Sequence, residues 1–543
     1  MLRMTVLFVS KQFGLGFNMR WPAQSGRRVG SGLPGLAFLL LGASAAAAGV
    51  DSPTCAASLA KGQELLGRRQ FQEAQTVLLA ASRACPRTAA IFDTLGMTYD
   101  FSGQFDKAQA AYRTALALEP RNPGFHNHLA ASLMRSGNAS EGEAEFERVL
   151  KIEPGNKVVN LNLGTLYLNK KRYERALQCF QAARVEESQD AVSLLELAEA
   201  YFGAGKNDSG RRVALRVAEA AGTDPRIHFT LGVLLGEHGE YAMAAGQFEA
   251  IPAGERDAAA ELNLGAAYSQ LGRFEQARQA CQDALRLDPA NPDAYLRLGL
   301  DAATQGKHAA ALDWLAEAHQ KAPERTDIAC ALAKELIRAG NFERAQQILS
   351  SARERHPQDA SVWETFGDLY LRQHRERDAQ QAYHECLRLS PQSSSARLSL
   401  ARVNLELGQT EEARKDLEQV LQRDAQNPEA NALLGRLALQ AGRADEALPY
   451  ATRALARDPA NLAANEVFAQ IMVQQGKPAD ALPALERLVK ADPENPRFHY
   501  LLGQTLGKLH RTEEAQSEFA VSERLQSAQK ESRAPGPADH HEP

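Results

Sequence analysis

Large rings are scarce in this chain: Phe, Trp and Tyr together supply 6% of 543 residues, although hydrophobic residues of all kinds reach 44%. So few rings suit many thin layers better than one deep core, and the sequence lacks the composition breaks that would separate several globular domains. An excess of basic charge is also missing. Lys and Arg number 62 against 67 Asp and Glu, a formal charge of −5 spread along the chain. That balance argues against a general nucleic-acid binder, whose affinity rests on neutralising phosphates. Short basic runs such as Lys170-Lys171-Arg172 and Arg211-Arg212 read as solvated helix ends or turns.

Catalytic and metal motifs are absent too. There is no G-x-S-x-G elbow, no H-E-x-x-H helix and no P-loop; Gly205-Lys206 lacks both the upstream spacing and the following Ser or Thr. The thirteen histidines are scattered, most of them reading as turn or helix-surface residues. No two of the six cysteines have zinc-ligand spacing. No catalytic, cofactor or metal residues are expected.

Residues 1–50 lack acidic side chains altogether but carry Arg3, Lys11, Arg20, Arg27 and Arg28, so the remainder has a formal charge of 57 minus 67, or −10. Arg27-Arg28, the apolar stretch Leu36–Leu41 and the small residues Ala43-Ser44-Ala45 and Ala46-Ala47-Ala48 read as an export signal, with Met19 offering a more ordinary start than Met1. The alternative is an uncleaved N-terminal anchor, which leaves the rest of the chain outside the cytoplasm as well. Either way the expected location is periplasmic or secreted, with membrane attachment only through that segment. Cys55, preceded by Ser52-Pro53-Thr54, does not sit in a lipid-attachment box.

What the sequence has in quantity is a 34-residue period. Units begin at 55, 89, 123, 157, 191, 225, 258, 292, 326, 360, 394, 428, 462 and 496; twelve of the thirteen spacings are 34 and one is 33. The eighth residue of every unit is Gly or Ala, as at Gly96, Gly164, Gly299 and Gly367, and so is the twentieth, as at Ala108, Ala176, Ala311 and Ala379. Positions 4, 7, 8 and 11 fall in one arc at 100° per residue, the packing face of a first helix. A second helix, starting near position 18, lies close against that face only where side chains at 8 and 20 are small, with larger residues at 7, 11 and 24 filling the space beside them. Pro86, Pro120, Pro154, Pro289, Pro323, Pro357, Pro391, Pro459 and Pro493 stop the second helix at position 32. Asn122-Pro123, Asn291-Pro292, Asn427-Pro428 and Asn495-Pro496 supply an N-cap followed by proline in the first turn. Ten units have Gly at position 15, a helix C-cap.

This pattern resembles the tetratricopeptide repeat family, whose signature is followed closely by Trp363, Phe366, Gly367, Tyr370, Ala379, Tyr383 and Pro391. The resemblance covers residues 55–529 and implies an all-α, right-handed superhelical α-α solenoid of about fourteen helix hairpins. The domain reading is therefore a signal peptide or anchor over 1–50, the solenoid over 51–529 and a disordered tail over 530–543, where Ala534-Pro535-Gly536-Pro537-Ala538 and His540-His541 lie. Gly210 at position 20, the loop-prone run Gly203–Gly210 and the short sixth unit ending in Ile251-Pro252-Ala253-Gly254 predict a hinge or change of pitch at 203–257, with simple sequence drift as the alternative. Cys55 and Cys85, at positions 1 and 31, should be brought together by an antiparallel hairpin and form a disulfide in an oxidising compartment. Cys179, Cys281 and Cys386 read as buried packing residues.

The family's shared residues are packing residues, so function lies elsewhere. The resemblance implies that first-helix positions 2, 5, 9, 12 and 13 line a concave groove. In units four to eight these positions include Leu161, Leu168, Leu195, Phe202, Phe229, Leu262 and Leu296. In units nine to twelve they include Lys334, Arg338, Arg372, Arg402 and Arg436 beside Asp327, Glu364, Asp368, Glu406 and Glu429. Two readings stay open: a groove for protein or peptide segments with an apolar strip and a polar clamp, or leucines that finish inter-repeat packing and charges that pair with one another. The Lys and Asn set with which some family members clamp a carboxylate is not reproduced; Asn162 and Asn263 stand alone. The expected role is a non-catalytic binding scaffold in envelope assembly, with an accessory of polysaccharide binding or export as the alternative.

Overall fold

The computed structural model describes residues 53–533. The signal at 1–50 and the tail beyond Arg533 lie outside the described residues, and the last helix, Thr512–Arg533, continues past the boundary expected at 529. Among the described residues there are twenty-eight α-helices, one short 3-10 segment at Val185–Glu187, and no strand. The helices pair in chain order as fourteen antiparallel hairpins, numbered 1 to 14 below. They fall into two compact units, hairpins 1–7 ending at Pro289 and hairpins 8–14 beginning at Ala290.

Thirteen of the fourteen first helices start at the residue the period names, from Ala89 to Pro496. Hairpin 1 starts two residues early, at Pro53. The N-caps work as their chemistry requires: Asn122 Oδ1 accepts from the amides of Gly124 and Phe125, Asn427 Oδ1 from Ala430, and Asp190 Oδ2 from Ser193. Position 15 has positive φ in every hairpin. Ten hairpins use glycine there, for example Gly340 at 76°, whereas Arg69, Lys171, His374 and His510 accept φ of 59°, 55°, 57° and 62° without it.

The close approach of the paired helices has a more specific geometry than small against small. A Cβ added to Gly96 would lie 2.6 Å from the Tyr112 ring, and one on Gly299 2.6 Å from Leu315. Position 8 is thus the floor on which the large side chain at position 24 rests. Position 20 opposes position 12 of the same hairpin, since Gly210 lies under the Phe202 ring and Gly142 under Met134. Tyr112, Phe180, Phe248, Phe366 and Tyr383 are each less than 2% exposed, so nearly the whole ring area contributes, on the order of 2–3 kcal/mol per side chain.

The stretch expected to be loop-prone is regular. Residues 204–206 make the usual short turn, and Asn207–Ala221 is a full helix. After Ala250 the sixth hairpin leaves the helix, and Arg256 holds the connection by donating to the Ile251 carbonyl at 3.0 Å and pairing with Glu261 at 3.1 Å. An unexpected irregularity lies in hairpin 4, where the second helix ends at Ala182 and Arg184, at φ 53°, leads into the 3-10 turn. There Ser188 replaces the stopping proline of position 32, and Val185 turns inward to 1% exposure. One continuous buried apolar cluster runs through all of this, from Ala130 to Ala280.

Candidate binding surface

The apolar strip read from the sequence is largely spent on packing. Leu168, Leu195, Phe202, Phe229 and Leu262 are 2–5% exposed; Leu161 and Leu296 are half-buried. Their burial follows from the stacking geometry: position 12 is covered by position 20 of its own hairpin, and the first helices lie beside one another within each unit. Of the two open readings, the five buried residues fit the one in which they complete the core, while Leu161 and Leu296 keep part of their surface.

What remains on the first-helix surface of hairpins 4–6 is acidic. Thr165 Oγ1 donates to Glu196 at 2.8 Å, and neither Glu196, Glu199 nor Glu237 forms an ion pair among the described residues. Burial pushes the Glu196 carboxyl up to about 7; the Thr165 hydrogen bond works against it and nearby Glu199 and Asp190 add to it. Burial does the same for Glu199, to about 7, with the charge of Glu237 adding to it.

Hairpins 2 and 3 join through a polar network that period and composition did not reveal. His128 Nδ1 meets Asp93 at 2.8 Å, Ser132 Oγ donates to Asp100 at 2.8 Å, Tyr112 OH donates to the same carboxylate at 3.3 Å, and Arg135 pairs with it. The Arg135 guanidinium also lies 5.9 Å from the centre of the Phe101 ring and 5.5 Å from that of Phe105. The available signal was Asp at positions 5 and 12, where hairpin 5 has Leu195 and Phe202.

In the second unit the charged set divides. Arg338 pairs with Glu335 at 3.5 Å, Arg402 with Glu429, and Asp327 with Arg325 at 2.6 Å. Asp368 is half-buried, accepts a 2.7 Å hydrogen bond from Tyr383 OH and is held above the usual carboxylate range by burial. Lys334, half-buried, and Arg372 and Arg436, exposed, form no ion pair among the described residues. Mutual pairing therefore accounts for Arg338 and Arg402 but leaves three cations on first helices 326–338, 360–372 and 428–440 available to solvent.

Position 4 carries a role missed in the sequence. Its side chain donates to the carbonyl six residues earlier, where the preceding hairpin ends: His126 Nε2 to Pro120 at 2.9 Å, Asn160 Nδ2 to Pro154 at 3.0 Å, His228 Nε2 to Gly222 at 3.0 Å, Asn465 Nδ2 to Pro459 at 2.9 Å and His499 Nε2 to Pro493 at 2.9 Å. These three histidines are 4–8% exposed, in contrast to the surface placement expected for most of the thirteen. They act as connectors between hairpins.

Chemistry of other kinds finds little support. No group of three or more His, Cys, Asp or Glu among the described residues could hold a metal ion. A shallow, open depression of about 560 Å³ is lined by Lys171–Arg175, Gly203 and Ala204; there Arg172 pairs with Glu143 at 3.7 Å, Glu174 with Lys206 at 2.8 Å, and Arg175 lies 5.7 Å from the centre of the Tyr167 ring. Cys55 and Cys85 are joined by a disulfide with Cα atoms 6.0 Å apart. Cys179, Cys281, Cys330 and Cys386 are buried and outside any disulfide; burial pushes the Cys179 thiol up to about 11 and the Cys386 thiol up to about 12, which keeps both from acting as thiolates near neutral pH. No described helix is long and apolar enough to cross a membrane.

Comparisons with known proteins fit this architecture. No curated protein matches the sequence. Among solved structures, the crystal structure of yeast Tom70 is similar at 18% identity and a TM-score of 0.44, covering 78% of this chain and 96% of that one. The APC/C hetero-tetramer Cut9-Hcn1 is similar at 16% identity and a TM-score of 0.41, covering 86% and 92%. Family matches described as tetratricopeptide repeat span residues 133–193, 302–365, 370–437, 438–505 and 472–524, with further matches at 258–291 and 94–157. With these matches spanning more than half of its length and every hairpin built on the same small-residue contacts, the chain belongs to the tetratricopeptide repeat family.

Proposed function

We propose that the protein is a non-catalytic scaffold that receives a protein or peptide segment on its first-helix surface, most directly across hairpins 9–12. The observation that carries this is the set of cations left over after packing and internal pairing: Arg372 and Arg436 are exposed on first helices and form no ion pair among the described residues, and Lys334, half-buried, acts on Asp368 through its charge without an ion-pair contact. A rigid array of unpaired charges is an interaction surface that lacks its complement. The leader-like residues 1–50 and the Cys55–Cys85 bond support a periplasmic or secreted location, because such bonds persist in oxidising compartments. In that location, envelope assembly is the process we favour.

Site-specific photocrosslinking from Arg372 and Arg436 in intact cells tests the reading, with Leu215 and Leu287, exposed on second helices, as controls. Capture of a protein through the two arginine positions is the expected result. Capture only through Leu215 or Leu287 overturns the surface assignment, and capture of a glycan through Arg372 replaces the protein partner with a role in polysaccharide binding or export.

A further inference from the structure

We infer that the Cys55–Cys85 disulfide is a redox-operated latch on hairpin 1, one whose reduction releases that hairpin while the rest of the chain stays folded. Hairpin 1 comprises Pro53–Gly67 and Phe71–Ala84, and its described neighbour is hairpin 2. Three local features leave it dependent on a covalent closure. Its turn uses Arg69 at φ 59° where ten other hairpins have glycine, so the turn itself resists closing. Its apolar cluster is small, built from Leu65, Ala74, Leu78 and Ala81 with Ile91 and Leu95 of hairpin 2, and the two half-cystines are themselves members of it. The bond joins the first turn of the first helix to the residue that ends the second, the two places where an unlatched hairpin frays first.

In a solenoid each hairpin is stabilised by its neighbours, and with hairpin 2 as the described neighbour of hairpin 1 its opening need not propagate. The bond closes a loop with a sequence separation of 30 residues, which restricts the open state and shifts the local equilibrium toward the closed one. The reductant is a dithiol. One of its thiolates attacks a cystine sulfur and forms a mixed disulfide, while the other sulfur leaves as a thiolate and takes up a proton. The second thiol of the reductant then displaces the remaining cysteine thiolate, which is protonated in turn. The dithiol is oxidised to a disulfide as the protein disulfide gains two electrons. Cys55 and Cys85 are 6% and 7% exposed, so attack awaits fraying of the first turn and the latch responds slowly. Opening uncovers Ile91 and Leu95, buried at 0% and 5%, and thereby creates an apolar face on the helix Ala89–Phe101.

The test is hydrogen–deuterium exchange on the full chain, oxidised, reduced with dithiothreitol, and reoxidised. Amides in Phe71–Ala84 should exchange roughly five-hundredfold faster after reduction, on the order the loop-closure model gives for this loop, and recover on reoxidation, while hairpins 8 and 9 stay unchanged. Unchanged exchange in hairpin 1, or an equal rise in hairpins 8 and 9, overturns the latch. A chain carrying Cys55→Ser and Cys85→Ser should show the reduced pattern with or without dithiothreitol. A further response of that chain to the reductant would move the effect to the buried thiols and likewise overturn the proposal. None of these readouts depends on the proposed binding partner.

Discussion

A hydrogen atom in place of a methyl group decides how close two helices come in this protein. Gly367 lies beneath the Tyr383 ring, as Gly96 lies beneath Tyr112, with no room for a side chain between. Replacing Gly367 with Val should cost about 1–3 kcal/mol, because the ring must leave its well or the helices must separate. Gly246 is the internal control: it is mid-helix, and an added Cβ there meets nothing within 4 Å. Gly246→Ala should therefore stabilise by about 0.5–1 kcal/mol through helix propensity alone. Urea midpoints of the two variants, followed by circular dichroism, check both signs. Opposite behaviour at two glycines distinguishes packing from backbone freedom. That distinction was legible in the sequence at position 8, which repeats, and at position 15, where the four hairpins without glycine keep the same positive φ.

At the scale of the helix, the carboxylates of hairpins 5 and 6 make stability depend on pH in an unusual direction. Glu196 and Glu199 have ordinary values of 4.5 and rise to about 7 in the fold, chiefly through burial. The folded chain therefore takes up protons before the unfolded chain does. Their favourable contribution is complete below about 4.5 and is lost as pH rises through about 7. Glu199→Gln removes the Glu199 share of this dependence and leaves that of Glu196. At pH 8 the variant should melt at a higher temperature than the parent, and below pH 4.5 the two should converge; a variant less stable at pH 8 would show instead that the carboxylate is paired. The sequence exposed Glu199 as a position-9 residue but not its burial. A helical wheel of one hairpin shows which way a side chain points, not what the neighbouring hairpin places over it. For the same reason Leu195 and Phe229 read as surface on the wheel and are core in the fold, whereas Asp93 and Asp100 form a network only once His128, Ser132 and Arg135 arrive from the next first helix.

For the whole molecule, the question raised by residues 203–257 is whether irregular sequence means easy opening. The missing stopping prolines and the short sixth unit argue for a hinge, and a proposed hinge there remains worth testing because the buried cluster from Ala130 to Ala280 argues the other way. Hydrogen exchange compares the two directly. Amides in 203–257 that exchange faster than those of hairpins 8–10 support the hinge, and equal or slower rates assign the irregularity to drift. Fold and hairpin boundaries were readable at this scale because a small residue recurs at positions 8 and 20 fourteen times in phase. The binding surface was not, since it consists of whatever charges packing leaves unpaired, and those follow no period.

Position 4 has a consequence for how such a chain can lengthen or shorten. Asn431 donates to the Ala425 carbonyl and Asn465 to the Pro459 carbonyl, each reaching back six residues over 3.0 and 2.9 Å. The hydrogen bond at each seam is thus written within seven residues, and the same Asn accepts from an arginine of its own module, Asn431 from Arg453 at 3.1 Å and Asn465 from Arg487 at 3.3 Å. Excising 431–464 sets Asn465 six places after Ala425 and rebuilds the same seam, so the shortened chain should fold and lose helicity in proportion to one module. Cutting one residue fewer sets Asn465 seven places after Ala425 and should lose this hydrogen bond at the splice. A gene that grows by duplication can gain or lose whole modules here with no repair at the joins.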